Sequence, residues 1–237
     1  MKRRHFILSL AVLLASTALK VKAKIISGGM PWRAHAVRPP QPVIPGEWHF
    51  FNNNEVILMD SLVDLIIPPD ELSIGAKEAG CTLFIDRQLS GDFGKATTVY
   101  RLGPVVEGLP QQGPQFKDTP AERYRLGLSA IGNVAKKQYQ KEFHQLEEEQ
   151  QIEMLQSIEN GTLALPGLNG QAFFAMLIQN VREGFFADPL YGGNKDMAGW
   201  KMLGFPGARY DYREEIKLRG KGLNLVPISM ISTQKDA

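Results

Sequence analysis

The residues best suited to contact a ligand lie in one segment rich in glycine and aromatic residues, residues 183–207. Asp188 precedes a proline and Gly192-Gly193 precedes Asn194, which is turn chemistry that lets the backbone approach another group closely. One interpretation is a nest, in which successive backbone N–H groups bind an anion or a carboxylate. The other is a tight connection between two helices, with its aromatic side chains in a core or interface patch. We favour the second, because no general base stands beside a nucleophile.

Other side chains with reactive chemistry are few. The four histidines, His5, His35, His49 and His144, include no pair at the i, i+3 or i, i+4 spacing that places two ligands on one helix face. The single cysteine, Cys81, excludes an internal disulfide, a cysteine-bound iron–sulfur cluster and a cysteine-based zinc site. Sequence motifs for dinucleotide binding, covalent haem attachment and a nucleophile elbow are missing as well. We therefore expect no catalytic, cofactor-binding or metal-binding residues in this chain.

The first residues are typical of an export signal. A basic start with Arg3 and Arg4 precedes an apolar run over residues 7–19, which is shorter than the roughly 20 residues needed to cross a bilayer. Val21-Lys22-Ala23 is a small-residue cleavage pattern. The adjacent arginines favour the twin-arginine route over an ordinary Sec signal or an uncleaved anchor. We predict a signal peptide at residues 1–23 and a periplasmic protein.

Charge excludes one class of partner. The whole chain has 27 basic and 25 acidic residues, but the leader contains five of the basic residues and no acid. Residues 24–237 therefore have 22 basic against 25 acidic residues, a net charge of −3. Because nucleic-acid binding needs a cationic footprint, we expect no nucleic-acid partner.

The elements that would position segment 183–207 are helices. Capping residues and apolar spacing predict helix starts at Asn54, Thr119 and Asn169, a helix over residues 76–89, and a polar helix from about residue 147 to Gly161. Asn194 or Asp196 would cap a short helix carrying Trp200, and residues 223–231 could add a short strand. The predicted fold is all-α, an irregular helical domain over residues 49–216 with long Pro/Gly-rich loops and a C-terminal tail at 217–237.

An extended N-terminal arm should precede this domain. Residues 24–48 contain five closely spaced prolines, with Trp32 and Trp48 near the ends of that stretch. Such an arm lies across either its own core or a partner. Cys81 leaves a similar choice in an exported chain, because it is either a buried, inert thiol or half of a bridge to another chain.

Several short motifs, in this order, resemble the small subunit of membrane-bound gluconate 2-dehydrogenases, also called gamma or subunit 3. They are Trp48-His49-Phe50-Phe51, Asp64-Leu65-Ile66-Ile67-Pro68, Gly75-Ala76-Lys77-Glu78-Ala79-Gly80, Phe84-Ile85-Asp86-Arg87-Gln88-Leu89-Ser90-Gly91 and residues 184–207. The resemblance implies a heterotrimer with a flavoprotein dehydrogenase that uses FAD and a cytochrome c subunit that passes electrons from its haem c to membrane quinone. It implies no catalytic residues here. The leader departs from the usual pattern, since no Ser or Thr precedes Arg3.

On this basis we expect an accessory subunit that stabilises and exports the flavoprotein and associates with the outer face of the cytoplasmic membrane through the complex. The alternatives are an independent periplasmic sugar-acid-binding protein or enzyme that uses the Gly192-Gly193 nest, and a freestanding structural protein. Candidate interface residues are Trp32, Trp48, Cys81, Asp188, Tyr191, Gly192, Gly193, Asn194, Trp200 and Phe205.

Overall fold

Helices form the regular structure of the part of the chain described by the computed structural model, residues 41–99, 103–106, 108–109, 116–209 and 211–231. Seven α-helices lie in these ranges, and the described residues contain no β-strand, which confirms the all-α prediction. They are α1 (Asn53–Ile66), α2 (Cys81–Ser90), α3 (Asp92–Lys95), α4 (Pro120–Tyr139), α5 (Glu148–Glu159), α6 (Gly170–Phe186) and α7 (Ala198–Leu203). Short 3-10 helices occur at Phe143–Gln145, Pro189–Tyr191, Lys195–Met197 and Glu215–Lys217.

Side-chain caps begin three of these helices. The predicted capping box of α4 is confirmed, since the Glu122 N–H donates to Thr119 Oγ1 at 3.2 Å and the Glu122 carboxylate accepts from the Thr119 N–H. At α6, Asn169 accepts from the Ala172 N–H as predicted. The start of α1 was predicted wrongly at Asn54, because the residue that forms a capping box with Glu55 is Asn52.

Two other local predictions are also wrong, the start of α2 and a short strand near the C-terminus. Helix α2 begins at Cys81, and residues 76–80 form turns that end at Gly80, whose φ is +85°. A Cβ on Gly80 would lie 2.6 Å from the carbonyl oxygen of Gly192. Any other residue at position 80 would therefore push the turn before α2 away from the Gly192 backbone. The expected strand near the C-terminus is a single parallel bridge between Gly207 and Ile228.

Helix α6 supplies much of the apolar core. Phe173, Leu177, Val181 and Phe185 recur along one face of α6 and are almost completely buried. Phe173 meets Tyr124 of α4 edge to face, with 5.6 Å between the ring centroids. The Tyr124 hydroxyl donates to the Asn180 side chain at 2.9 Å, which satisfies both buried polar groups. None of the helices in the described ranges has the length and apolarity of a membrane span.

Candidate partner-binding surface

Segment 183–207 folds as a connection from α6 to α7, and Asn194 holds its two halves together. The Asn194 side chain is fully buried. Its amide nitrogen donates to the Ala187 carbonyl at 2.7 Å, and its side-chain oxygen accepts from the Gly199 N–H at 2.9 Å. Asn194 therefore joins the first turn of α7 to the end of α6, but the N-cap position of α7 is Met197, so the predicted cap at Asn194 or Asp196 is wrong.

Trp200 and two glycines complete the packing of this connection. The Trp200 indole N–H donates to the Phe186 carbonyl at 2.7 Å, and its ring meets Phe205 edge to face at 5.3 Å. A Cβ on Gly193 would lie 2.1 Å from the Gly184 carbonyl oxygen, and one on Gly199 would lie 2.3 Å from that of Phe185. The glycines thus allow close packing of backbone on backbone, as the helix-connection interpretation predicted.

Part of the backbone that could form an anion nest is already used within the chain. The Gly192 N–H donates to the Pro189 carbonyl at 3.0 Å, and the Lys195 N–H donates to the Ala79 carbonyl at 3.1 Å. An anion at the Gly192-Gly193 turn would have to compete with these hydrogen bonds. The geometry favours a structural connection over a carboxylate site.

Asp188 joins this connection to the C-terminal residues. Its buried carboxylate accepts from the Leu190 N–H at 2.9 Å, the Ser229 hydroxyl at 2.8 Å and the Met230 N–H at 2.9 Å. The sequence predicted the turn at Asp188 but not its contacts with Ser229 and Met230. They span about 40 residues, and no local pattern indicates them.

Asp86 was not predicted as a functional residue, although it lies in the motif at residues 84–91. Its carboxylate has no exposed surface and accepts from the backbone N–H groups of His49, Phe50 and Phe51, each at 2.9 Å. It also forms an ion pair with Arg87, whose guanidinium donates to the Glu47 carbonyl at 3.0 Å. Asp86 therefore fixes the residues that lead into α1 against α2.

Cys81 lies at the start of α2 with no exposed surface. Its thiol is 3.7 Å from the Val181 carbonyl oxygen, within reach of a weak hydrogen bond. Burial, and then the negative charge of Asp64, raise the pKa of Cys81 to about 12, so the group is a neutral thiol at physiological pH. A bridge from Cys81 to another chain would require the start of α2 to open.

The remaining candidates divide by exposure. Gly193, Asn194, Asp188 and Trp200 are buried, while Trp48 and Gly192 are half-buried. Tyr191, Leu203 and Phe205 are 46, 62 and 47% exposed, and we call these three residues the exposed rim. Leu203 was not among the candidates, because its sequence neighbourhood does not distinguish it from a buried leucine. Trp32, Arg3 and Arg4 lie outside the described residues.

A shallow groove adjoins the rim at Tyr191. It has a volume of about 420 Å³ and is lined by residues of α2, α6 and the turn after α6. Those residues are Phe84, Gln88, Glu183, Phe186, Ala187 and Tyr191. The described ranges contain no group of three or more His, Cys, Asp or Glu side chains that could hold a metal ion.

Comparison with known proteins gives one match. The family model described as gluconate 2-dehydrogenase subunit 3 matches residues 53–207, about two thirds of the chain. The match begins at the first residue of α1 and ends at Gly207, so it includes the whole connection from α6 through α7 and the rim. No curated protein and no solved structure matches the chain.

Proposed function

This chain belongs to the gluconate 2-dehydrogenase subunit 3 family, and we propose that it is the non-catalytic small subunit of a membrane-bound dehydrogenase for gluconate or a related sugar or sugar acid. In this proposal a flavoprotein subunit holds FAD and oxidises the substrate, and a cytochrome c subunit holds haem c. The chain described here holds no cofactor. It binds the flavoprotein, stabilises it and accompanies it to the periplasm, where the complex lies on the outer face of the cytoplasmic membrane.

The exposed rim is the observation that supports flavoprotein binding. Clusters of exposed large apolar side chains commonly mark interaction sites, and Leu203 and Phe205 are both exposed two residues apart in the same connection. The frame is fixed by buried hydrogen bonds from Asn194 and Trp200, so the rim is presented without a large ordering cost on binding. Tyrosine and phenylalanine are also among the residues enriched in interfaces.

Binding of this kind would stabilise the flavoprotein by mass action. A partner present at about 100 times its dissociation constant adds roughly 2.7 kcal/mol to the free energy of unfolding. That contribution is a large fraction of the 5–15 kcal/mol that is typical of folded proteins. A subunit without catalytic residues can therefore determine how much active dehydrogenase accumulates.

A pair of surface substitutions tests the interface. Tyr191→Ser with Leu203→Ser removes two of the three side chains of the rim and keeps Phe205, whose ring packs against Trp200, and we expect at least a tenfold weaker association with the flavoprotein. The measurement is the flavin absorbance that copurifies with the tagged chain. The matched control is Ile57→Ser with Leu72→Ser, which changes two apolar residues that are 45 and 77% exposed away from the rim. Equal flavin recovery from both variants would reject the rim as the interface.

Export is tested separately. Replacing Arg3 and Arg4 by lysine keeps the charge of the leader but removes the arginine pair that twin-arginine export needs. We expect flavoprotein and dehydrogenase activity to remain in the cytoplasm, whereas Lys20→Arg with Lys22→Arg should leave both in the periplasm. Periplasmic activity that is unchanged in the Arg3 and Arg4 variant would refute the escort role.

A further inference from the structure

Residues beyond the family match form a loop with its two ends tied together. The Ala208 N–H donates to the Ile228 carbonyl at 2.7 Å, and the Ile228 N–H donates to the Pro206 carbonyl at 3.2 Å. Asp188 holds the next two residues, Ser229 and Met230. The connection between these ends is about 20 residues long, and its described residues contain one 3-10 turn as regular structure. Irregular connections longer than about 12–15 residues are uncommon and are usually either functional or linker segments.

The centre of this connection, residues 216–226, is here called the basic loop. Residues 216–224 are all exposed, nine in succession, so they contribute little to the core. Three of them are the cations Lys217, Arg219 and Lys221, and the basic loop contains no acidic residue. Two acidic residues, Glu214 and Glu215, directly precede the loop, and Lys217 forms an ion pair at 3.4 Å with Glu214.

Exposed aliphatic side chains alternate with these cations. Ile216 and Leu218 flank Lys217 and are 62 and 42% exposed, and Leu223 and Val226 are 39 and 73% exposed. Residues 24–237 as a whole have a net charge of −3, so this concentration of cations runs against the charge of the rest of the chain. A cluster of this kind has a local charge complementary to an anionic surface.

We propose that the basic loop binds the surface of a membrane containing anionic phospholipids. Its cations would lie near the lipid phosphates, while its aliphatic side chains would enter the boundary between headgroups and acyl chains. Its exposed apolar residues are aliphatic, whereas the strong contacts of protein interfaces are enriched in Trp and Tyr. This contact is separate from the flavoprotein contact at the rim, and it adds direct membrane binding to the indirect attachment through the complex.

The size of the effect follows from the charges. Each Lys or Arg near an anionic membrane surface strengthens binding about fivefold, and Lys217 is already paired with Glu214, so replacing all three cations by serine should weaken binding at least about 25-fold. Replacing Ile216 and Leu218 by serine leaves the charge unchanged and should weaken binding at least tenfold, because less apolar surface leaves water. Binding of the unchanged chain should also decrease as salt is added.

Cosedimentation with vesicles provides the test. The chain purified from the periplasm, without its leader, is mixed with vesicles of phosphatidylglycerol and phosphatidylcholine in equal parts, or of phosphatidylcholine alone. We expect binding to the anionic vesicles and loss of that binding in the Lys217, Arg219 and Lys221→Ser variant. The matched control removes three exposed lysines elsewhere, Lys136, Lys137 and Lys141→Ser, and should still bind.

The outcomes separate this proposal from the flavoprotein interface. The basic-loop variant should still copurify with flavin, which would show that the chain is folded and the rim intact. No binding of the unchanged chain to anionic vesicles, or equal binding by the unchanged chain and the basic-loop variant, would overturn the proposal. Loss of flavin with unchanged vesicle binding would overturn it too, and would instead assign the loop to an acidic protein surface.

Discussion

Two glycines in helix α4 should respond in opposite ways to the same substitution. Gly127 is buried, and a Cβ placed on it would lie 2.4 Å from Cζ of the Phe173 ring. Gly132 lies five residues further along α4, and a Cβ placed there would meet no atom within 4 Å. Gly127→Ala and Gly132→Ala therefore form a matched pair in one helix, with identical chemical change and different surroundings.

The expected magnitudes follow from helix propensity and packing. Alanine is more favourable than glycine in a helix interior by about 1 kcal/mol, and both variants gain this amount. Gly132→Ala should thus raise the free energy of unfolding by up to about 1 kcal/mol. Gly127→Ala must also displace the Phe173 ring, which is 1% exposed and packs against Tyr124. Overpacking of a core costs about 1–3 kcal/mol, so the two variants should differ by that amount.

Urea unfolding followed by tryptophan fluorescence measures this difference. With a slope of about 2 kcal/mol per molar urea, typical of small proteins, the midpoints should be separated by about 0.5–1.5 M, with Gly132→Ala above the unchanged protein. A Gly127→Ala midpoint equal to that of Gly132→Ala would show that Phe173 does not pack on α4 as described. A fall in the Gly132→Ala midpoint would show that something else occupies the space beside Gly132.

Three further predictions concern buried groups. Asp86→Asn should lower the free energy of unfolding, measured with urea, by about 3 kcal/mol, because one of three backbone N–H groups loses its acceptor and the other two lose a charged acceptor. The control Asp60→Asn, at a half-buried position, should lower it by under about 1 kcal/mol. The pKa of Cys81 is raised to about 12 from 9.0, so the unfolded chain ionises first above pH 9. The contribution of Cys81 to the free energy of unfolding is complete below pH 8 and should fall by about 1.4 kcal/mol at pH 10. The Cys81→Ala variant should lack this decrease in urea titrations. Asp188→Asn should speed protease cleavage within residues 216–226, read by mass spectrometry, since the Met230 N–H loses its acceptor, whereas Ser229→Ala should have a smaller effect.

Helix starts that depend on residues close in sequence could be predicted. The Thr119 and Asn169 caps are hydrogen bonds to residues three positions further on, so the pattern contains all the partners. The Asn52 cap was available by the same rule, because Glu55 stands three residues after Asn52 and only one residue after Asn54. The error at α1 came from apolar spacing taken without the capping box.

The start of α2 could not be predicted in this way. Residues 76–80 have a composition compatible with a helix, but they form turns. The last of them, Gly80, adopts positive φ where the Gly192 backbone packs against it. The two glycines are 112 residues apart in sequence. Tertiary packing overrides local propensity here, and a single sequence provides no sign of which distant segment will approach.

The candidate site shows the same division at the level of single side chains. Asp86 and Asp188 bind backbone N–H groups 35 to 42 residues away, and every residue except proline offers an N–H group, so the type of the partner carries no signal. For the same reason the sequence could not separate Asn194 and Trp200, which are buried, from Tyr191 and Phe205, which are exposed. The structure makes that separation testable, because substitutions in the buried frame should reduce stability first, whereas substitutions at Tyr191 and Leu203 of the exposed rim should reduce flavoprotein binding at unchanged stability.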